Sequence, residues 1–99
     1  MDPLELAEIG KTGLKVSRLG VGGVAIGRTA TAEESDETLK RCVELGLRYF
    51  DTAPLYGGGV SEKRYGDVLS SIPRSSFTIS TKVGRLLEAP APTPVGAVI

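Results

Sequence analysis

The chain has 99 residues, 40% hydrophobic and 24% charged, which is ordinary globular composition rather than that of a disordered chain. Twelve Lys and Arg balance twelve Asp and Glu, so there is no electrostatic case for nucleic acid or an anionic membrane as partner; no apolar run approaches the ~20 residues of a membrane span, and Met1-Asp2-Pro3 lacks the basic and apolar regions of a secretion signal. The single cysteine, Cys42, permits no internal disulfide, which makes the cytoplasm the expected compartment, and the absence of histidine removes the commonest metal ligand and general base, so no metal site is expected.

In chain order, Leu4, Leu6 and Ile9 alternate roughly with Glu5, Ala7 and Glu8, Gly10-Lys11-Thr12-Gly13 supplies a turn, and Leu14 and Val16 alternate again. Two short strands about a glycine-containing turn predict a β-hairpin over 4–16. In Arg18-Leu19-Gly20-Val21-Gly22-Gly23-Val24, glycine stands between apolar residues; the pattern predicts a short buried strand running into a flexible loop that closes at Gly27 and Thr29. Thr31 and Glu34 have the spacing of a capping box. Glu33, Glu34, Asp36 and Glu37 fill the first turns, where the helix dipole favours anions, and Leu39, Cys42 and Val43 share one face. With Gly46 as a stop, these features predict a helix over 31–45.

A second strand is expected over 47–52, then a loop over 53–59 containing Pro54 and three consecutive glycines. Ser61 is expected to cap a second helix running to Leu69, with Tyr65, Val68 and Leu69 as its apolar stripe. Residues 77–83 form a third strand rich in β-branched side chains. From 88 to 99 the chain carries Pro90, Pro92 and Pro94 and ends on Val95-Gly96-Ala97-Val98-Ile99, which predicts an extended linker or loop, or a truncated tail. The order hairpin, β, α, β, α, β indicates an α/β chain with parallel strands and helical crossovers. Three parallel strands cannot close a barrel, so such a sheet requires partners or further sequence.

Three polar residues fall where a parallel α/β sheet puts its chemistry, at the carboxyl ends of strands: Asp51 at the end of the second strand, Tyr56 five residues on, and Lys82 at the end of the third. The two strands are expected to be neighbours, so the side chains can converge. An ammonium beside a phenol favours the phenolate, and a carboxylate keeps the ammonium charged and oriented; Tyr56, Lys82 and Asp51 together would make a general acid–base relay suited to carbonyl reduction. Each has a plainer reading: Asp51 as a turn or cap residue, Tyr56 as packing, Lys82 as one half of a structural ion pair. Lys82 follows Ile79, Ser80 and Thr81 in a strand expected to be largely buried, where a lysine needs a partner. Gly20-Val21-Gly22-Gly23-Val24-Ala25 also satisfies G-x-G-x-x-A, with Asp51 ending the next strand, the outline of a Rossmann dinucleotide fingerprint. That fingerprint should open the crossover helix directly; here Ile26-Gly27-Arg28 intervene, the helix has its own cap at Thr31, and Tyr56 and Lys82 are left unexplained.

Gly46-Leu47-Arg48-Tyr49-Phe50-Asp51-Thr52-Ala53-Pro54-Leu55-Tyr56-Gly57, continuing through Ser61-Glu62 to Gly66, closely resembles the signature of the aldo-keto reductases. Residues 10–20, Gly10-Lys11-Thr12-Gly13-Leu14-Lys15-Val16-Ser17-Arg18-Leu19-Gly20, resemble the hairpin that plugs the barrel bottom in that family, and Ser80-Thr81-Lys82-Val83-Gly84-Arg85 resembles its third-strand lysine motif. The matches cover about residues 8–87. The resemblance implies the N-terminal part of a (β/α)₈ TIM barrel, incomplete in this chain, and NADP or NAD as cofactor, bound across the C-terminal face without a Rossmann domain. It implies hydride transfer between the nicotinamide and a carbonyl or hemiacetal carbon of a small-molecule substrate. Tyr56 would be the acid–base residue, Lys82 would tune it, Asp51 would pair with Lys82 and lie in the cofactor site, and the backbone of Gly22, Gly23 and Val24 would lie near the nicotinamide. The wording around Tyr56 and Lys82 is most similar to the sugar-oxidising branch typified by D-threo-aldose (L-fucose) dehydrogenases; pyridoxal 4-dehydrogenase-like members read similarly. The family's fourth catalytic residue is a histidine after a fourth strand, which this sequence lacks, so the 99-residue chain alone is expected to be inactive.

Overall fold

The computed structural model describes residues 2–88. The proline-rich stretch expected over 88–99 lies, but for Glu88, outside the described residues.

The hairpin is formed by β1 (Leu6–Glu8) and β2 (Lys15–Ser17), antiparallel, with Ala7 opposite Val16. Gly10 and Gly13 in its turn take φ of 55° and 78°, the left-handed region in which glycine carries no Cβ penalty. The hairpin runs one residue past the expected 4–16, and its alternation marks a weaker face than the pattern suggested. Val16 and Ser17 are buried, whereas Leu4, Leu6, Ile9 and Leu14 are exposed.

The strand expected around Val21 is reduced to a single parallel bridge, Val21 to Phe50. The Val21 N–H donates to the Tyr49 carbonyl and the Asp51 N–H donates to the Val21 carbonyl, each at 2.9 Å. The flexible loop expected after it is instead a short helix, α1 (Val24–Arg28). The glycines made this segment read as loop, but tertiary packing overrides that propensity: Ile26 is 5% exposed and belongs to the core cluster with Leu39, Phe50, Tyr65, Val68 and Leu69.

Helix α2 (Ala32–Glu44) begins with both halves of the capping box, Thr31 Oγ1 accepting from the Glu34 N–H and Glu34 accepting from the Thr31 N–H. It ends at Gly46, φ 94°. Leu39 is fully buried, and Ser35 on the same helix donates to the Ile26 carbonyl at 2.8 Å, tying α2 to α1. Helix α3 (Val60–Leu69) buries Tyr65, Val68 and Leu69, the stripe read from the sequence. Its cap is not Ser61. Gly59, φ 101°, occupies the N-cap without a side-chain bond, and Ser61 is the second residue of the helix with its hydroxyl turned into the core.

Strands β3 (Tyr49–Asp51) and β4 (Thr78–Ser80) pair in parallel, Asp51 opposite Ser80. Both are shorter than the expected 47–52 and 77–83. The residues of β4 are half-buried rather than buried, and Lys82 stands two residues beyond it, exposed. Lys82 is therefore not an interior strand lysine in need of rescue. It sits on an open rim.

Candidate active site

Parallel pairing of β3 with β4 brings the ends of both strands to one rim, and the side chains gather there. Lys82 Nζ donates to Asp51 Oδ1 at 3.1 Å, to Oδ2 at 3.0 Å and to the Thr52 carbonyl at 3.0 Å. These three acceptors match the three donors of an ammonium. The same ammonium lies 4.9 Å from the centroid of the Tyr56 ring, within cation–π range. Asp51, Tyr56 and Lys82, picked from the sequence on spacing, are thus side by side.

Tyr56 opens a 3-10 turn, Tyr56–Gly59, and its N–H donates to the Ala53 carbonyl at 3.2 Å. Gly57, Gly58 and Gly59 all take positive φ, which explains the run of three glycines. Gly57 is also sterically required: a Cβ there would collide with the carbonyl oxygen of Gly27 on α1. Tyr56 is therefore held by a turn seated directly on α1.

The segment Gly22-Gly23-Val24 approaches the same rim from the other side. A Cβ on Gly23 would lie 2.5 Å from the Asp51 carbonyl and 2.8 Å from Ser61 Oγ, so only glycine fits there. Gly22 has open space around its Cα, and Val24, the first residue of α1, is exposed. Beneath Gly23 lies a buried polar pair that sequence reasoning missed. Ser61 Oγ donates to the Gly23 carbonyl at 2.9 Å and is 2.8 Å from Thr52 Oγ1, which then donates to Ser61. Both side chains are almost completely buried. The signal that marked Ser61 as a cap, a small hydroxyl near a helix start, served equally for this inward role. Arg64 on α3 binds the other end of α1, donating to the carbonyls of Ile26 at 2.6 Å and Ala30 at 2.9 Å. Tyr65 donates to the Val21 carbonyl at 3.1 Å.

A further donor reaches Asp51. The Ser80 hydroxyl donates to Oδ1 at 2.6 Å. That bond is the first cause holding the Asp51 carboxyl below its ordinary range, with the Lys82 bond and charge adding to it against the opposing effect of burial. Lys82 is held above the ordinary ammonium value, chiefly by its bond to Asp51. The pair is charged across the neutral range. A cleft of about 140 Å³ opens beside it, lined by Ala53, Pro54, Leu55, Tyr56, Lys82, Val83 and Arg85.

Residues 18–97 match the model of the Aldo/keto reductase family. The chain belongs to the aldo/keto reductase family. It is 46% identical over 79 residues to a D-threo-aldose 1-dehydrogenase of Pseudomonas sp, covering 77% of this chain and 24% of that protein. It is 40% identical over 93 residues to an L-galactose dehydrogenase of Arabidopsis thaliana, covering 89% of this chain and 29% of that protein. Among solved structures, the holo form of an aldo-keto reductase from Bacillus halodurans superposes with a TM-score of 0.77 at 32% identity, over 86% of this chain and 28% of that one. The chain therefore spans roughly a quarter to a third of the length of these relatives. Its fold is part of the aldo/keto reductase (β/α)₈ barrel, a hairpin followed by α/β units, with no closed barrel among the described residues. The Rossmann outline around Gly20 is set aside on this finding. A helix does open directly at Gly23, closer to the fingerprint than the sequence implied, but it ends after five residues and α2 starts from its own cap. Among the described residues no helix is long and apolar enough to cross a membrane.

Proposed function

We propose that this chain carries the acid–base half of an NAD(P)-dependent oxidoreductase site, acting by hydride transfer between a nicotinamide and the carbonyl or hemiacetal carbon of a small molecule, with an aldose of the D-threo or L-fucose-like kind as substrate. The observation that carries the reading is the Asp51–Lys82–Tyr56 cluster: a lysine bound by both oxygens of a carboxylate and lying against a tyrosine ring. Family membership supports the reaction class, and two relatives named as sugar dehydrogenases support the substrate.

Each residue has a distinct part. The Tyr56 hydroxyl moves the proton at the substrate oxygen. The Lys82 ammonium stabilises the phenolate left when that proton is given up, and Asp51 keeps the ammonium in place. The residues present fit the nicotinamide end of an NADP or NAD cofactor. Gly22 is unobstructed, and the tight seat of Gly23 on Asp51 brings the loop backbone to the rim that carries the cluster. When bound, the nicotinamide supplies or accepts the hydride. Asp51 then borders the cofactor as well as the lysine. The natural full chain with Tyr56→Phe should lose nearly all turnover while still binding NAD(P); retained turnover would exclude Tyr56 as the acid–base group.

A second reading has its own observation. An open groove of about 630 Å³ runs along α3 and β4, lined by Tyr65, Leu69, Ile72, Phe77 and Ile79 among others. An open groove lined by apolar side chains favours association, and the 99-residue chain by itself then reads as a non-catalytic barrel part or a binding or regulatory subunit. A sharp two-state melt that moves upward with NADPH would count against this reading.

A further inference from the structure

We propose that Ser80 is a positioning residue for the Asp51–Lys82 pair, its hydroxyl clamping the carboxylate so that both oxygens face the ammonium. The proposal rests on the oxidoreductase reading above and adds a residue to it.

The clamp is built from the sheet. Ser80 is the register partner of Asp51 in the β3–β4 ladder, and its carbonyl accepts the Thr52 N–H at 2.9 Å, so its backbone is fixed to the strand that carries the carboxylate. Its hydroxyl then donates to Oδ1 at 2.6 Å, the short distance characteristic of a hydroxyl bound to an ionised acceptor. Lys82, two residues further on, reaches the same carboxylate, so Ser80 and Lys82 both bind Asp51.

The need for such a clamp follows from exposure. The side chains of Lys82 and Asp51 are 47% and 42% exposed. An exposed ion pair is weak and screened by salt, and a lysine has a long flexible stem to immobilise. Attraction alone does not select one geometry here. A neutral hydroxyl rooted in a strand does, because it is insensitive to ionic strength and short enough to have few rotamers. With Oδ1 fixed by Ser80, the ammonium takes Oδ1, Oδ2 and the Thr52 carbonyl together, which sets it 4.9 Å from the Tyr56 ring centroid.

The test uses the natural full chain with Ser80→Ala and Ser80→Thr. Ser80→Ala should lower kcat about tenfold, as loss of one hydrogen bond to a charged group implies, with KM and cofactor affinity little changed. That deficit should deepen in 1 M salt, where screening acts within about 3 Å; Ser80→Thr, which keeps the hydroxyl, should restore both. A second readout needs no turnover: the carbon-13 titration of the Asp51 carboxyl should move up in Ser80→Ala and return in Ser80→Thr. The titratable neighbours, Lys82 beyond β4, Tyr56 in the 3-10 turn and Tyr65 on α3, are the same in all variants. An unmoved midpoint in Ser80→Ala overturns the clamp, as does a wild-type kcat and salt response, or a threonine that fails to rescue. If the wild type turns over no carbonyl or sugar with NAD(P), the oxidoreductase reading falls and the titration still decides on Ser80.

Discussion

Gly57→Ala should cost far more than Gly58→Ala, although the two glycines are adjacent and share a backbone conformation. Their φ values are 65° and 63°, both in the left-handed region, so either alanine incurs about 1–2 kcal/mol of Cβ strain. Their surroundings differ. A Cβ on Gly58 meets nothing within 4 Å, whereas one on Gly57 runs into the Gly27 carbonyl oxygen and lies 3.1 Å from Val60 Cβ. The Gly27 oxygen is backbone and cannot rotate away, so α1 must separate from the turn. Overpacking of that kind adds about 1–3 kcal/mol, which brings Gly57→Ala to roughly 3 kcal/mol against about 1 kcal/mol for Gly58→Ala. Urea unfolding of the natural full chain measures the difference. Because the displaced turn is the one that starts at Tyr56, Gly57→Ala should also lose turnover in the absence of denaturant, with Gly58→Ala close to wild type. Equal stabilities for the two variants would show that α1 does not seat the turn, and the account of how Tyr56 is held would be wrong.

Thr31→Ala removes the capping box of α2 and should cost about 1 kcal/mol, read as a lower urea midpoint. Leu39→Ala empties a fully buried position in the core cluster and should cost about 2–5 kcal/mol, the upper half if the surrounding side chains fail to close the space. Lys82→Met should leave the urea midpoint near wild type, because the pair is exposed, yet abolish turnover; a large loss of stability would return Lys82 to a structural role. The pair also has a pH signature. Asp51, lowered, contributes stability above its ordinary range and loses it as pH falls through the lowered value. Lys82, raised, contributes below its ordinary value and loses it as pH rises through the raised one. Carbon-13 shifts of the two side chains should therefore stay flat between mildly acid and strongly alkaline pH, and a transition near neutrality would contradict the pairing. Burial raises the Tyr65 phenol, and the Asp51 charge adds to it; stability present below the ordinary tyrosine value of about 10 should fall as pH climbs beyond it, and Tyr65→Phe should flatten that limb.

What could be read from the residues divides along a physical line. Helix α2 was legible almost to the residue, because its cap, its acidic first turn, its apolar face and its glycine stop are all local. Helix α1 was not, since Gly23 and Gly27 read as loop and only packing against Asp51, Ser61 and Tyr56 shows why glycine is needed. The same division runs through the candidate site. Asp51, Tyr56 and Lys82 were visible because strand ends are where parallel sheets gather polar side chains. Ser61 and Ser80 were hidden because a serine hydroxyl has many local uses, and what distinguishes these two lies across the fold: 38 residues to the Gly23 carbonyl for one, 29 to the Asp51 carboxylate for the other. In Ser80 a clue was present, namely its place two residues before Lys82. A lysine expected to need a partner should thus prompt a search of the positions two away for a donor to that partner. Here the rule finds the hydroxyl on Asp51, and the exposure of the ion pair gives that hydroxyl its work.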